Sequence, residues 1–417
     1  MTKSYSIPIP SSEDWSFKLL SWLDLKFPNF AYFQNSGNNY PYGGFSHLIF
    51  AGSSTIGLKE IESYQGKRDT VGIVSFDYKN QIENLKSDNQ VLIDLPDSEF
   101  LIPDLQIEIQ DGLLIFDDAD RMISSEEIFG ASSSIPQNPL VQVQALTSYE
   151  KYLSDIEAIK EHIRSGDIYE MNYCMAFTFQ DRQWDPIVGF LDLMRVSPMP
   201  FSVFYKSGDK YLICASPERF LKKTGKKLIA QPIKGTIKRG VDVHEDALLR
   251  NILLNSEKER AENLMIVDLI RNDLSKISET GSVQVEELFG VYPFAKVHQM
   301  ISTVTAICNK GAKFKDIIHA AFPMGSMTGA PKIKCLELIE QYENFKRGWF
   351  SGSIGVIRTD GDFDFNVVIR SIVFDKDSGN GFFAVGSAIT FDADAVYEYE
   401  ECLLKASAIL SILTSQN

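Results

Sequence analysis

Strand-like and helical stretches mix along this chain without the regular β-α-β alternation of a doubly wound sheet, which makes α+β the fold class to expect. In its first part, Val71-Gly72-Ile73-Val74 and Leu105-Gln106-Ile107-Glu108-Ile109 read as strands, the second with a two-residue period. The run Gly130-Ala131-Ser132-Ser133-Ser134-Ile135-Pro136-Gln137-Asn138-Pro139 is small, polar and twice interrupted by proline, and reads as a linker. It separates a strand-rich region, residues 1–140, expected to pack on the core, from a larger region, residues 141–417.

Beyond the linker, Thr147 and Glu150 predict a capping box, and Tyr152, Ile156, Ile159 and Ile163 form one apolar stripe of a helix that Ser165-Gly166 ends. Ile168 to Tyr173 runs into a strand, and Tyr211-Leu212-Ile213-Cys214-Ala215 is another, leading to Ser216-Pro217-Glu218. Then comes Gln231-Pro232-Ile233-Lys234-Gly235-Thr236. Proline fixes the backbone before Lys234, and glycine lets the chain turn closely around a ligand after it. Desolvated or set near another cation, such a lysine has its pKa lowered towards that of a nucleophile. Taken alone, the hexapeptide reads first as a surface turn carrying a solvated lysine.

Two helices each offer two carboxylates. From Glu257 to Leu274, Glu259 and Glu262 head a stripe continued by Ile266 and Leu269; near the C-terminus, Glu398 and Glu401 are followed by Lys405, Ala408 and Ile412. One Glu-x-x-Glu is ordinary, and Glu401 with Lys405 fits a plain ion pair. Two such pairs, each in line with apolar residues, suit a shared hard cation held by oxygen alone, which points to Mg²⁺. Phe322 to Lys332 is a glycine- and hydroxyl-rich loop entering a helix, which taken alone fits a plain N-cap turn as well as a place for amide donors to meet a carboxylate. Arg370 interrupts the apolar strand Asn366-Val367-Val368-Ile369, costly unless its guanidinium meets an anion. His298 fits a satisfied core histidine, and Gly386-Ser387-Ala388-Ile389-Thr390 a strand end.

Composition narrows the classes of function. A formal net charge of -15 argues against a nucleic-acid surface. No span of about 20 apolar residues and no signal-like N-terminus argue against a membrane. Five scattered cysteines without a C-x-x-C pair, and five histidines without metal spacing, suggest reduced thiols in a cytoplasmic protein and no zinc site.

These pieces, in this order, resemble the chorismate-utilising enzymes, the family of anthranilate, aminodeoxychorismate and isochorismate/salicylate synthases. The resemblance is carried by Ser216-Pro217-Glu218, Lys258 to Asn263, Val267 to Leu274, Thr328-Gly329-Ala330-Pro331-Lys332 and Glu398 to Lys405, and covers residues 145–415 most strongly. It implies large antiparallel β-sheets forming a sandwich with helices outside, and a chorismate-binding catalytic domain over 141–417. Lys234 stands where the anthranilate branch carries alanine, which implies the aminodeoxychorismate branch. Glu170 stands where the water-adding branch has a lysine base and the amino-transferring branches usually have glutamine.

The resemblance further implies Mg²⁺ held by Glu262 and Glu401 with Glu259 and Glu398 close by, gripping the ring carboxylate. It implies Lys234 as nucleophile at C2, Glu218 as the acid for the leaving 4-hydroxyl, and Arg370 on the enolpyruvyl carboxylate. Gly235, Thr236, His298, Ser326, Gly386 and Lys405 are implied as further substrate contacts. Ammonia is expected from a separate glutaminase subunit, and the product, 4-amino-4-deoxychorismate, leads to 4-aminobenzoate and folate. The rival expectations are an anthranilate synthase component, which Lys234 opposes, and a catalytically silent chorismate-binding or glutaminase-regulating subunit.

Overall fold

The computed structural model describes residues 4–414, apart from 36, 38, 39, 65, 118–121 and 131–133. Two large antiparallel sheets, of 12 and 10 strands among the described residues, share one continuous apolar core, with helices packed against them. The α+β class expected from the sequence is the one the chain adopts. Among the described residues no helix is long and apolar enough to cross a membrane, and all five cysteines are buried and free.

Hydrogen-bonded ladders cross the proposed boundary at residue 140 in both sheets. Phe201–Ser207 pairs with Asn29–Gln34 on one side and with Lys210–Ser216 on the other, while Ser353–Ile357 pairs with Thr70–Val74. Both runs read as N-terminal strands are strands, Thr70–Val74 and Leu105–Gln110. Of the linker, Ala131, Ser132 and Ser133 lie outside the described residues.

The helix after the linker is Tyr149–Arg164, and its cap is Ser148, not Thr147. Ser148 has the extended backbone a cap needs, and its hydroxyl accepts from the Lys151 N–H at 3.2 Å, whereas Thr147 turns away to Asn344. Tyr152, Ile156 and Ile159 are buried as the stripe predicts, and Gly166 leaves the helix at φ 81°. The strand it feeds, Glu170–Gln180, pairs with Asn380–Ile389, which runs straight through Gly386 instead of stopping there.

The strand carrying Arg370 is shorter than the apolar run suggests. Phe363–Asn366 belongs to the 10-stranded sheet and Ser371–Asp375 to the 12-stranded one, so residues 367–370 form the passage between sheets. Their amides bond irregularly, Val367 to the Glu218 carbonyl at 3.0 Å and Val368 to that of Gly352 at 2.8 Å, and Arg370 turns the corner at φ 50°. A non-glycine residue in that region is strained, a cost that surrounding structure must impose.

Candidate active site

Pro232 separates strand Lys227–Gln231 from strand Ile233–Lys238, and the second lies against Val297–Ile307. There Ile233 pairs with Ile301 but Thr236 pairs with Gln299, one residue more on the lysine strand, so Lys234 and Gly235 occupy a bulge. A bulge re-aims a side chain out of the alternation of its strand. Gly235 has φ 89°, and a Cβ there would come 3.0 Å from Glu259 Oε2 and 3.1 Å from Leu253 Cδ1. The positive φ favours glycine, and a side chain here would crowd Leu253 and the first turn of helix Glu257–Ser275. Upstream, the buried Gln231 amide takes a hydrogen bond from Arg219 and gives one to Thr303 Oγ1 at 3.2 Å, fixing the approach.

Lys234 Nζ donates to Glu170 Oε1 at 2.6 Å, with the lysine side chain 10% exposed and the glutamate 1%. Burial pulls the ammonium's pKa down, but the carboxylates of Glu170, Glu262 and Glu218 outweigh it and hold the group well above an ordinary lysine. The sequence suggests the opposite direction, and the correction has a simple cause: the lysine is desolvated among anions. Activation therefore requires a proton acceptor.

Glu218, between strands Lys210–Ser216 and Arg219–Thr224, is 5% exposed and accepts from Ser326 Oγ at 2.8 Å. Burial pushes its carboxyl up to about 7, against the opposing pull of Ser326 and Lys234. A carboxyl poised near neutrality can both take up a proton and give one away. The loop bearing Ser326 is tied down from behind. Arg347 donates to the Met327 carbonyl at 2.7 Å and the Asn172 carbonyl at 3.1 Å while paired with buried Glu343, and Lys332 is bound to Asp273 at 2.5 Å.

Helix Glu257–Ser275 and helix Ala395–Leu413 present their carboxylates as their stripes predict. Glu262 and Glu398 are buried; Glu259 and Glu401 are partly exposed. Burial, with Glu170 and Glu259 adding repulsion, pushes Glu262 up to about 7, and burial likewise raises Glu259 and Glu398. Burial also works to raise Glu401, but Lys405 at 2.7 Å turns the balance and holds it below the usual range. Between the helices stands Lys258, 3.2 Å from Glu398 and 3.9 Å from Glu262. Glu262 Oε1 is buried without a hydrogen-bond partner among the described residues. Among the described residues no three acidic, histidine or cysteine side chains form a ready metal cage.

Lys405 also donates to the Gly386 carbonyl at 2.9 Å, and a Cβ on Gly386 would come 2.6 Å from Cys174 Sγ. Arg370 makes no side-chain hydrogen bond or ion pair among the described residues, and burial alone lowers its pKa. It is a desolvated cation without a countercharge. Thr236 sits at the end of the bulge. His298 is 2% exposed with Nε2 2.9 Å from Asp246, itself forked by Arg239, while Nδ1 is buried and unpartnered among the described residues.

Sequence reasoning left four participants out of the site. Lys258 stood in the stretch Lys258 to Asn263 with no role attached, and as the i,i+4 neighbour of Glu262 it fits a pattern that usually means a solvated pair. Glu343 and Arg347 also read as i,i+4 neighbours, yet are 4% and 1% exposed. Glu170 carried a signal, being a carboxylate at a position of known chemistry, but nothing in the chain placed it against Lys234, 64 residues away.

The family described as chorismate binding enzyme matches residues 50–411. The Bacillus subtilis protein named aminodeoxychorismate synthase component 1 is 34% identical over 388 residues, 87% of this chain and 80% of that one. Its Escherichia coli namesake is 32% identical over 357 residues, 82% and 76% of the two chains. Anthranilate synthase component I from Streptococcus pneumoniae superposes with a TM-score of 0.71 at 26% identity, covering 82% of this chain and 80% of that one. MenF, the menaquinone-specific isochorismate synthase of Escherichia coli, shares the fold at a TM-score of 0.76 and 17% identity over 99% and 94% of the two chains. The match over most of the length, together with the antiparallel fold and the cluster around Lys234, establishes that this chain belongs to the chorismate-binding enzyme family.

Proposed function

We propose that the chain converts chorismate and ammonia into 4-amino-4-deoxychorismate, the reading in line with its relatives named aminodeoxychorismate synthase component 1. The observation that carries it is Lys234: a buried primary amine on a glycine bulge, with a carboxylate in contact and a second, neutral-capable carboxyl at Glu218 nearby. An amine so placed suits covalent catalysis, in which one difficult substitution is split into two easier ones.

In this reading Arg370, with no countercharge of its own, takes the enolpyruvyl carboxylate as a fork. Gly235, Thr236, Ser326, Gly386 and Lys405 border the ring, with His298 beside it. Lys234 attacks C2 while Glu218 protonates the departing 4-hydroxyl, and ammonia then attacks C4 and expels the lysine. Glu262 and Glu401 would hold Mg²⁺, with Glu259 and Glu398 alongside. The all-oxygen donor set and the orphaned Glu262 Oε1 fit such an ion, and the lack of a closed protein cage suits one that completes its shell with water and substrate. When bound it supplies charge neutralisation for the ring carboxylate. Lys258, which now bridges Glu262 and Glu398, would have to yield.

The relatives' designation as component 1 supports a partner subunit, which we propose to be a glutaminase delivering ammonia. The test is a product assay with chorismate, Mg²⁺ and high ammonium, with and without Lys234→Ala. Aminodeoxychorismate from the wild type and a large loss in the variant are expected. Anthranilate with pyruvate would place the chain on the other amination branch, and no product even with a glutaminase supplied would favour a silent subunit.

A further inference from the structure

The least explained contact in the cleft is that between Lys234 and Glu170. Lys234 Nζ makes one hydrogen bond among the described residues, to Glu170 Oε1 at 2.6 Å. Glu170 opens strand Glu170–Gln180, and its backbone is clamped on both sides. It pairs with Ala330, its carbonyl takes the Cys335 thiol at 3.2 Å, and a Cβ on Gly329 would come within 2.1 Å of that carbonyl. The side chain is 1% exposed, and its second oxygen, Oε2, is buried with no hydrogen-bond partner among the described residues. A structural ion pair at this depth would have every lone pair satisfied, because an unmatched buried acceptor is costly. A carboxylate kept with one oxygen on the nucleophile and the other empty has capacity for a proton.

We infer that Glu170 is the base that takes the proton from Lys234 and so makes the lysine nucleophilic in this chain. The inference rests on Lys234 forming a covalent adduct, as proposed above. The charged groups that face Lys234 are Glu170, Glu218, Glu259, Glu262, Glu401 and Lys405. Of these, only Glu170 is hydrogen-bonded to its nitrogen.

The protons balance. Lys234 gives one proton to Glu170, and its freed lone pair bonds to C2 as the ring double bonds shift. The C4–O bond breaks, and the hydroxyl leaves as water with the proton of Glu218. Ammonia then bonds to C4, the double bonds return, and the protonated secondary amine breaks from C2 as neutral Lys234. Lys234 recovers its proton from Glu170, and the new C4 ammonium restores that of Glu218. Chorismate and ammonia enter; aminodeoxychorismate and water leave.

This arrangement has a kinetic signature. The resting ion pair and the reactive pair of neutral groups contain the same number of protons, so activation of Lys234 adds no acid limb to the pH profile. With Glu170→Gln the proton must go to solvent, and kcat/KM should rise up to tenfold per pH unit until the lysine titrates. Removing the carboxylate also lets burial lower the lysine's pKa.

The test compares wild type, Glu170→Gln and Glu170→Asp at saturating Mg²⁺ and ammonia, reading aminodeoxychorismate against pH. In parallel, competitive acetylation of Lys234 without chorismate is read by peptide mass. A wild-type profile with no acid limb, an acid limb in Glu170→Gln, a slower Glu170→Asp that also lacks one and a lower labelling midpoint in Glu170→Gln are expected. An unchanged profile shape in Glu170→Gln, or an unchanged labelling midpoint, would overturn the inference. If wild type forms no aminodeoxychorismate, the functional reading fails. The labelling then still decides the pair, with an unchanged midpoint rejecting it. If Glu170→Gln does not fold, Glu170→Asp carries the decision: an acid limb appearing there would overturn it.

Discussion

Two buried ion pairs lie close together in this molecule and are built on opposite principles. Arg347 and Glu343 are saturated: the guanidinium reaches Glu343, the Met327 and Asn172 carbonyls and Ser351 Oγ, and Glu343 also accepts from the Cys174 N–H at 2.9 Å. Among the described residues, Lys234 and Glu170 are hydrogen-bonded only to each other through their charged ends, and Glu170 Oε2 has no partner. A saturated network specifies one arrangement and has nothing left to trade; an unsaturated one keeps a capacity that a substrate or a proton can use. The first pair holds the Ser326 loop against strand Glu170–Gln180, and the second stands in the space thereby defined.

The comparison breaks most openly by exchanging each cation for an apolar group of similar length. Lys234→Met should lose about 10⁴-fold or more in product formation, measured at saturating chorismate, because the covalent route is gone. Its stability should change little, since a lone buried Glu170 can neutralise itself by taking a proton. Arg347→Met should do the reverse to the scaffold, orphaning several buried acceptors at once, and lose roughly 3–5 kcal/mol in urea unfolding. Comparable destabilisation of both variants would erase the distinction.

The cleft should also register in the pH dependence of stability. Glu218 is held at about 7, above its ordinary 4.5, so the folded chain binds its proton more tightly than the unfolded chain does. Stability from this group is present below about 4.5 and is lost as pH rises to about 7, by up to about 3 kcal/mol. Glu218→Gln should flatten that part of a Tm-against-pH curve, and product formation by the wild type should decline above the same pH as the acid is lost. Mg²⁺ at a hundred times its Kd should add about 2.7 kcal/mol, read as a Tm rise absent from Glu262→Gln with Glu401→Gln. Ser326→Ala is the finest probe. Its hydroxyl holds the Glu218 proton affinity down, so its loss should move the alkaline limb up by roughly 0.4–1 pH unit.

What the sequence disclosed follows the range of the forces involved. The two carboxylate helices were legible because an apolar stripe is local: Glu262 and Glu398 lie inward as the spacing requires, while the caps Ser256 and Asp394 went unread. The helix cap at Ser148 was misread by one residue, since Thr147 and Ser148 are equally able and only their backbone angles decide. Arg370 was legible as a cation out of place, but not as the corner between two sheets. The proton affinity of Lys234 was hidden completely. Its sign depends on which charges surround it, and these come from other strands and helices through a bulge that no periodicity announces.

The sharing of strands across residue 140 has a practical consequence for anyone dividing this chain. A fragment starting there would bare the edge of Phe201–Ser207 where Asn29–Gln34 belongs, and that of Ser353–Ile357 where Thr70–Val74 belongs. Open, apolar edges of this kind recruit other chains, so the shortened protein should appear in inclusion bodies although every residue around Lys234 is present. Supplying residues 1–140 as a separate polypeptide during refolding is the natural route to recovering it.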